Sequence, residues 1–456
     1  MNLYQLLQAR AEAGRPVRVV LIGAGKFGAM FLAQARLMTG LHVMGIADLN
    51  VERARETCRR TGWEDERFSA HSASEAVRSG ATWITDDASA LIAAEGVDVV
   101  LECTGHPAAG IRHCLEAIDA GRHVVMVNVE ADVVAGPLLA RRARQAGVVY
   151  SLAYGDQPAV ICEHVDWARA CGFKVVSAGK GTRYHPDFHA STPETVWENF
   201  GISPEMAARG GMNPKMYNSF IDGTKSGIEM TAVCNATGLT PQPNGLSFPP
   251  ASCYDLAEIC KPRAAGGQLS HEGTTEVVSS LNRDRTPVEH HLQIGTYVVV
   301  EAESDYVRNC IEEFKFLPDS SFRFSALYRP THLIGLELGI SIASIALRGE
   351  ATGAPTGFRS DVVATAKRDL AAGEILDGEG GFCVWGRQMP AERSLEIGGL
   401  PLGLAQGVKL KVAKMQGEAL CWNDVELDEN DIAVRIRREM ERAFAPETEQ
   451  ATAAIK

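Results

Sequence analysis

The chain has 456 residues, 45% of them apolar and 22% charged, with a formal charge of −12. That length exceeds what a single core usually serves, so two or three domains are expected, and the acidic balance argues against nucleic acid or an anionic membrane as the main partner. No run approaches a membrane span, residues 1–16 lack the apolar core and cleavage site of a signal peptide, and eleven cysteines are scattered without a Cys-x-x-Cys pair; these features point to a cytoplasmic protein with reduced thiols and no metal site.

A first strand is predicted over residues 18–22, a β-branched apolar run feeding Gly23-Ala-Gly25-Lys26-Phe27-Gly28 and then a helical apolar pattern through Phe31, Leu32 and Ala35. In such a Gly-x-Gly-x-x-Gly loop the first glycine permits the turn, the second lets a pyrophosphate approach the backbone, and the third lets helix pack on strand. The helix N-terminus supplies amide donors to the phosphates. A second strand from Leu41 ends in Asp48, 20 residues after Gly28, the spacing at which a carboxylate reaches the hydroxyls of an adenosine ribose. A carboxylate there repels a 2′-phosphate, and Leu49-Asn50 offers no arginine to neutralise one, so NAD is the expected cofactor and NADP is less favoured.

Strands and helices continue to alternate to residue 150, the pattern of a doubly wound parallel sheet. The strand Val97 to Glu102 ends in Cys103-Thr104-Gly105, either a plain turn or a loop beside the ribose and nicotinamide at the carboxyl edge of the sheet. A strand through Val124–Val127 ends in Asn128, with Glu130 two residues on, at that same edge. The strand through Val148–Leu152 runs into Tyr154-Gly-Asp156-Gln-Pro; Asp156 is a site candidate or the cap of the following helix.

From about residue 160 to 350 the alternation loosens, as in a substrate domain built beside a nucleotide-binding unit. Lys174 to Thr182 reads as a strand ending in Lys180 between two glycines, where a lysine can hold an anion or polarise a carbonyl, or else sit in a solvated loop. His185 and His189 have metal-like spacing, but Pro186 and Pro193 favour a loop covering substrate. Residues 216–238 read as one helix stopped by Gly238, with Asp222, Lys225, Ser226 and Glu229 on one face at i, i+3, i+4 and i+7. An acid, a base and another acid on an otherwise apolar helix suggest an active-site wall in which Lys225 manages a hydroxyl proton. Arg329 and His332 are candidates for anion binding, caps or core, and residues 349–357 read as a linker. Residues 360–436 change to short β-like runs, followed by a charged helix from Asp431 to Phe444.

The blocks Val19-Leu-Ile-Gly-Ala-Gly, Val100-Leu-Glu-Cys-Thr-Gly and Val125-Met-Val-Asn128 resemble the nucleotide-binding domain of homoserine dehydrogenases. The blocks Asn128-Val-Glu-Ala-Asp-Val, Val176-Ser-Ala-Gly-Lys180-Gly, Phe220-Ile-Asp-Gly-Thr-Lys225 with Glu229-Met, Asn235-Ala-Thr-Gly-Leu and Arg329-Pro-Thr-His-Leu resemble the deoxyxylulose-phosphate reductoisomerase-like family. The runs around Ala364–Leu376 and Lys414–Leu420 resemble its C-terminal SAF domain. Glu130 replaces the lysine of homoserine dehydrogenases. Asp48 replaces the basic residues of NADPH-dependent reductoisomerases, and Gln157 replaces their glutamate.

The resemblance implies an α/β chain of three parts: a Rossmann domain (1–155), an α+β substrate and dimerisation domain (156–355) and a SAF-like β domain (356–445), with a frayed tail at 446–456. It implies an NAD-dependent oxidoreductase for a small hydroxylated molecule such as a sugar acid or polyol derivative, acting as a homo-oligomer, dimer or tetramer. The alternatives are reductoisomerase chemistry on deoxyxylulose phosphate or a branched sugar acid, and a noncatalytic NAD-responsive binding protein. The expected catalytic residues are Lys180, Asp222, Lys225, Glu229 and Asp156. The expected cofactor contacts are Gly23, Gly25, Lys26, Phe27, Gly28, Asp48, Thr104, Gly105, Asn128 and Glu130.

Overall fold

A computed structural model describes residues 2–445; the tail at 446–456 lies outside the described residues. The strands are β1 Val17–Ile22, β2 Leu41–Ala47, β3 Trp83–Thr85, β4 Val99–Glu102, β5 His123–Met126, β6 Tyr150–Leu152, β7 Lys174–Thr182, β8 Thr274–Ser279, β9 Thr296–Glu301, β10 Phe324–Arg329, β11 Ser360–Ala366, β12 Ile375–Asp377, β13 Val384–Pro390, β14 Gln406–Leu410 and β15 Val425–Glu426. Among the described residues no helix is long and apolar enough to cross a membrane. The chain divides into two compact units, Met1–Val160 with Leu333–Thr356, and Ile161–His332 with the chain from Gly357 onward.

The first unit is built on a six-stranded sheet in the order β3-β2-β1-β4-β5-β6, parallel throughout. Its central strands are buried on both faces, which explains why β1 and β4 read as continuous aliphatic runs rather than alternating ones. The strand order reverses between β1 and β4, and the glycine loop follows β1 at that switch point, where α/β sheets bind ligands. Segment 333–356 also folds here. Its helix Gly339–Arg348 buries Ile342, Ala343 and Ile345 in the core formed by Val19, Leu21 and Phe31; large aliphatic side chains of this kind contribute about 1.5–3 kcal/mol each. The run from 349 is less of a linker than its composition suggests: Thr352 N donates to Ser151 Oγ at 3.0 Å and Leu152 N donates to Gly353 O at 2.7 Å, so it is fastened to β6.

The second unit contains a four-stranded sheet, β10-β9-β7-β8. One face packs on Ile161 and Val165 of the helix Gln157–Ala170 and on Met230 and Val233 of the helix Thr224–Thr237. The other face carries Val176, Val278 and Tyr297 against Leu256 and Cys260. The C-terminal part adds the antiparallel pair β11-β13 and the small sheet β12-β14-β15. It also adds the helix Ile432–Phe444, capped by Asp431, whose side chain accepts from Ala433 N and Val434 N.

The helix Thr224–Thr237 lies between β8 on one side and the β11-β13 pair on the other. Thr224 Oγ1 accepts from Gly386 N at 2.8 Å, and a Cβ on Gly227 would come within 2.8 Å of Gly386 O. Burial between two β layers explains why apolar residues such as Ile228, Met230, Ala232 and Val233 point in several directions, and why its buried polar groups need partners.

The single helix expected over 216–238 is instead two, Pro214–Ile221 and Thr224–Thr237. The chain breaks at Asp222-Gly223, where Gly223 takes φ 91°, a conformation that a side chain disfavours. Asp222 Oδ1 accepts from Thr224 N at 2.9 Å, so the carboxylate stands at the break rather than on a shared helical face.

Candidate active site

In the first unit, loops at the carboxyl ends of the parallel strands carry the expected dinucleotide contacts. Each glycine has a distinct steric reason. Gly23 takes φ 96°, and a Cβ there would sit 2.9 Å from Cys103 O; one on Gly28 would sit 2.6 Å from Gly23 O; one on Gly25 would meet nothing within 4 Å. The middle glycine therefore leaves open space above the N-terminus of the helix Lys26–Ala35, which no side chain caps. That cradle and those amides fit a pyrophosphate. Lys26 is exposed and Phe27 half-buried at the same helix start.

Asp48 is buried at the end of β2 and fixed from three sides. Its Oδ2 accepts from Ala24 N at 2.9 Å, and its Oδ1 accepts from Asn50 N at 2.9 Å and from Arg53 Nη2 at 2.7 Å. A carboxylate has about four acceptor directions, so capacity remains for a ribose hydroxyl. The local sequence reading considered Leu49-Asn50 and missed Arg53. The signal lay one turn further, at the third residue of the helix Val51–Arg60.

Beyond β4, Glu102 is fully buried and organises the neighbouring loop. Its Oε1 accepts from Thr104 Oγ1 at 2.6 Å and lies 3.2 Å from His113 Nδ1, whereas its Oε2 has no hydrogen-bond partner among the described residues. Asn128 Nδ2 donates to Thr104 Oγ1 at 3.3 Å and to His106 O at 3.1 Å, while Oδ1 accepts from Ala131 N. Asn128 thus caps the helix Val129–Gln145 and pins the 104–106 loop; Thr104 and Gly105 are exposed on it, and Glu130 is half-buried in the first turn of the helix. Asp156 is buried just before the helix Gln157–Ala170, and its Oδ1 accepts from Gln157 N at 2.9 Å.

In the second unit, Lys180 lies inside β7 rather than at its end. Gly179 and Gly181 are required by neighbouring backbone, since a Cβ on either would lie 1.8 Å from Glu276 O or Leu292 O; ligand approach is not what selects them. The Lys180 ammonium donates to Glu229 Oε2, and the two side chains are buried. In the interior the attraction between the two charges offsets the desolvation cost of each, and losing either partner would leave the other uncompensated.

Strand register adds residues that the sequence did not single out as a group. Lys180 stands opposite Thr296 on β9, which stands opposite Arg329 on β10, and residues in one such row share a face. His164 Nε2 lies 2.9 Å from Thr296 Oγ1. Burial, and then the charge of Arg329, pushes His164 down to about 4, leaving the imidazole neutral near pH 7. The available sequence signal was its position between Ile161 and Ala168 on the core stripe of an apolar helix.

Asp222 and Glu229, expected to flank Lys225, have other partners. The Lys367 ammonium lies 2.7 Å from Asp222 Oδ2 and also donates to Ser191 O and Gly381 O. Lys225 is half-buried in the first turn of its helix. His189 is held by Tyr184 Oη at Nε2 and by Asp222 O at Nδ1, and stacks on Trp385 with ring centroids 3.9 Å apart. Both ring nitrogens are thereby engaged in packing the 184–190 turn. Among the described residues no group of three or more His, Cys, Asp and Glu is placed to hold a metal ion.

A family model described as "Homoserine dehydrogenase, NAD binding domain" matches residues 22–152, and one described as "Oxidoreductase DRL, catalytic domain" matches residues 155–338. No curated protein matches. Solved structures similar to the chain include myo-inositol dehydrogenase from Lactobacillus casei in complex with NAD(H) and myo-inositol, at 16% identity, 40% of this chain, 50% of that one and TM-score 0.28. An NAD binding oxidoreductase from Klebsiella pneumoniae matches at 18% identity over 39% and 47%, TM-score 0.28, and a DOX-P reductoisomerase in complex with magnesium at 17% over 49% and 58%, TM-score 0.33.

Proposed function

We propose that this chain, which joins an NAD-binding domain of the homoserine dehydrogenase type to an oxidoreductase DRL catalytic domain, interconverts a secondary alcohol and a ketone on a small hydroxylated molecule such as a sugar acid or polyol derivative. The observation that carries this reading is the buried Lys180–Glu229 pair within the catalytic-domain match. The loop Gly23–Gly28 would hold the pyrophosphate and Asp48 the adenosine ribose, with NAD preferred over NADP. Bound there, the nicotinamide would supply the hydride acceptor for oxidation and the hydride donor for reduction.

The chain's own groups manage the oxygen. During oxidation the hydroxyl must lose a proton as its carbon loses hydride, and the Lys180–Glu229 pair can take it together: the Lys180 ammonium passes one proton to the Glu229 carboxylate as it accepts the one from the hydroxyl, and the pair gains one proton in all. During reduction the ammonium donates to the carbonyl oxygen and supplies the proton to the alkoxide. Thr296, held by His164, and Arg329 extend the polar row available to the rest of the substrate.

Polyols, sugar acids and hydroxy amino acids offered with NAD and NADP in parallel test this reading. A ketone product with an unchanged carbon skeleton supports it. A rearranged skeleton selects reductoisomerase chemistry, and dinucleotide binding without turnover across the set selects a noncatalytic role.

A further inference from the structure

We propose that Arg53 is a second specificity residue of the adenosine-ribose site and that it allows the site to accept a 2′-phosphorylated dinucleotide as well as a free ribose diol. The proposal rests on residues 22–152 binding a dinucleotide. Asp48 alone would make the site exclude a 2′-phosphate by charge repulsion. The carboxylate is not alone: Arg53 Nη2 donates to its Oδ1 at 2.7 Å, with the Asp48 side chain 3% exposed and that of Arg53 61% exposed. The cation therefore sits on the solvent side of the carboxylate and compensates its charge.

The arginine is also well placed to exchange partners. Its backbone is fixed, because Arg53 N donates to the capping Asn50 Oδ1 at 2.9 Å, while its side chain extends from the first turn of a ten-residue helix whose N-terminus itself favours anions. The bond to Asp48 uses one of five guanidinium N–H groups, and a guanidinium matches phosphate oxygens in paired geometry. With a free diol, Arg53 keeps Asp48 oriented toward the ribose. With a 2′-phosphate, the same guanidinium turns its remaining donors to the phosphate. Discrimination between the two cofactors is accordingly narrow, and it is set by the pair rather than by Asp48 alone.

Calorimetric titration of the full chain with adenosine 5′-monophosphate and adenosine 2′,5′-bisphosphate reads this without turnover. The wild-type chain is expected to bind both within about tenfold of each other, one charge-assisted contact being worth roughly that factor. Arg53→Ala and Arg53→Gln should each lose about tenfold or more for the bisphosphate and less than about threefold for the monophosphate. Asp48→Ser should invert the preference toward the bisphosphate, and adding Arg53→Ala should abolish that inversion. Equal loss for both nucleotides in the Arg53 variants, or a bisphosphate affinity that they leave unchanged, overturns the proposal while the dinucleotide reading stands. Absence of binding by either nucleotide to the wild-type chain overturns both.

Discussion

Lys180, in the interior of β7, and Glu229, in the second turn of the helix Thr224–Thr237, form a buried ion pair across 49 residues of sequence. Neither charge is stable there without the other. Lys180→Met should therefore abolish turnover and lower stability by about 3–5 kcal/mol, the usual cost of leaving one buried partner uncompensated. The double variant Lys180→Met, Glu229→Leu should recover much of that stability and none of the activity, as measured by denaturant unfolding and steady-state assay on the same preparations.

The pair Asp222–Lys367 gives a second, purely structural expectation. Both side chains are buried, and Lys367 ties the C-terminal β11 end to the helix break and to Ser191 O. Lys367→Met should destabilise the second unit by about 3–5 kcal/mol for the same reason. Dinucleotide affinity, measured at a temperature where the variant is folded, should stay within about threefold of wild type, about 0.7 kcal/mol. Loss of binding in the folded variant would contradict the assignment of this pair to the second unit's packing.

Steric roles in the glycine loop separate folding from binding. Gly25 faces open space, whereas a Cβ on Gly28 collides with Gly23 O. Gly25→Val should leave the melting temperature nearly unchanged and weaken dinucleotide binding at least about tenfold by filling the cradle. Gly28→Val should lower the melting temperature itself. Equal melting losses in both variants would contradict this division.

Two buried groups predict opposite dependences of stability on pH. Burial raises Asp132 to about 7, partly offset by the hydrogen bond from Tyr150 Oη. The native state then binds more protons than the unfolded state between about pH 4 and 7, and this contribution falls as pH rises through that window. His164 is lowered to about 4, so its contribution is retained above about pH 6.5 and falls as pH drops from 6.5 to 4. Asp132→Asn should flatten the loss on the alkaline side and His164→Gln the loss on the acid side. Melting curves across pH 4–8 check both signs.

What was legible in the sequence was the chemistry fixed by neighbours along the chain. The loop Gly23–Gly28 and Asp48 could be located because a tight turn, a close backbone approach and a strand-end carboxylate are local requirements. Asp222, Lys225 and Glu229 were picked out as residue types, but their arrangement was not recoverable. Asp222-Gly223 sits within an unbroken apolar periodicity, so the pattern hid the left-handed turn that separates the two helices. The partners of Asp222 and Glu229 come from the residue after β11 and from β7, and no spacing rule reaches that far. Arg53 was missed for the opposite reason, being near Asp48 in sequence but already inside the next helix, where it reads as ordinary surface charge.

The most direct measurement is hydride transfer by Lys180→Met beside the wild-type chain, followed by nicotinamide absorbance on a substrate found in the polyol and sugar-acid set, with NAD affinity determined on the same samples. The account predicts NAD affinity within about threefold of wild type, about 0.7 kcal/mol, and a loss of turnover of at least about a hundredfold, the lower range for removing a positioned acid–base group. Turnover at the wild-type rate in that variant would contradict it.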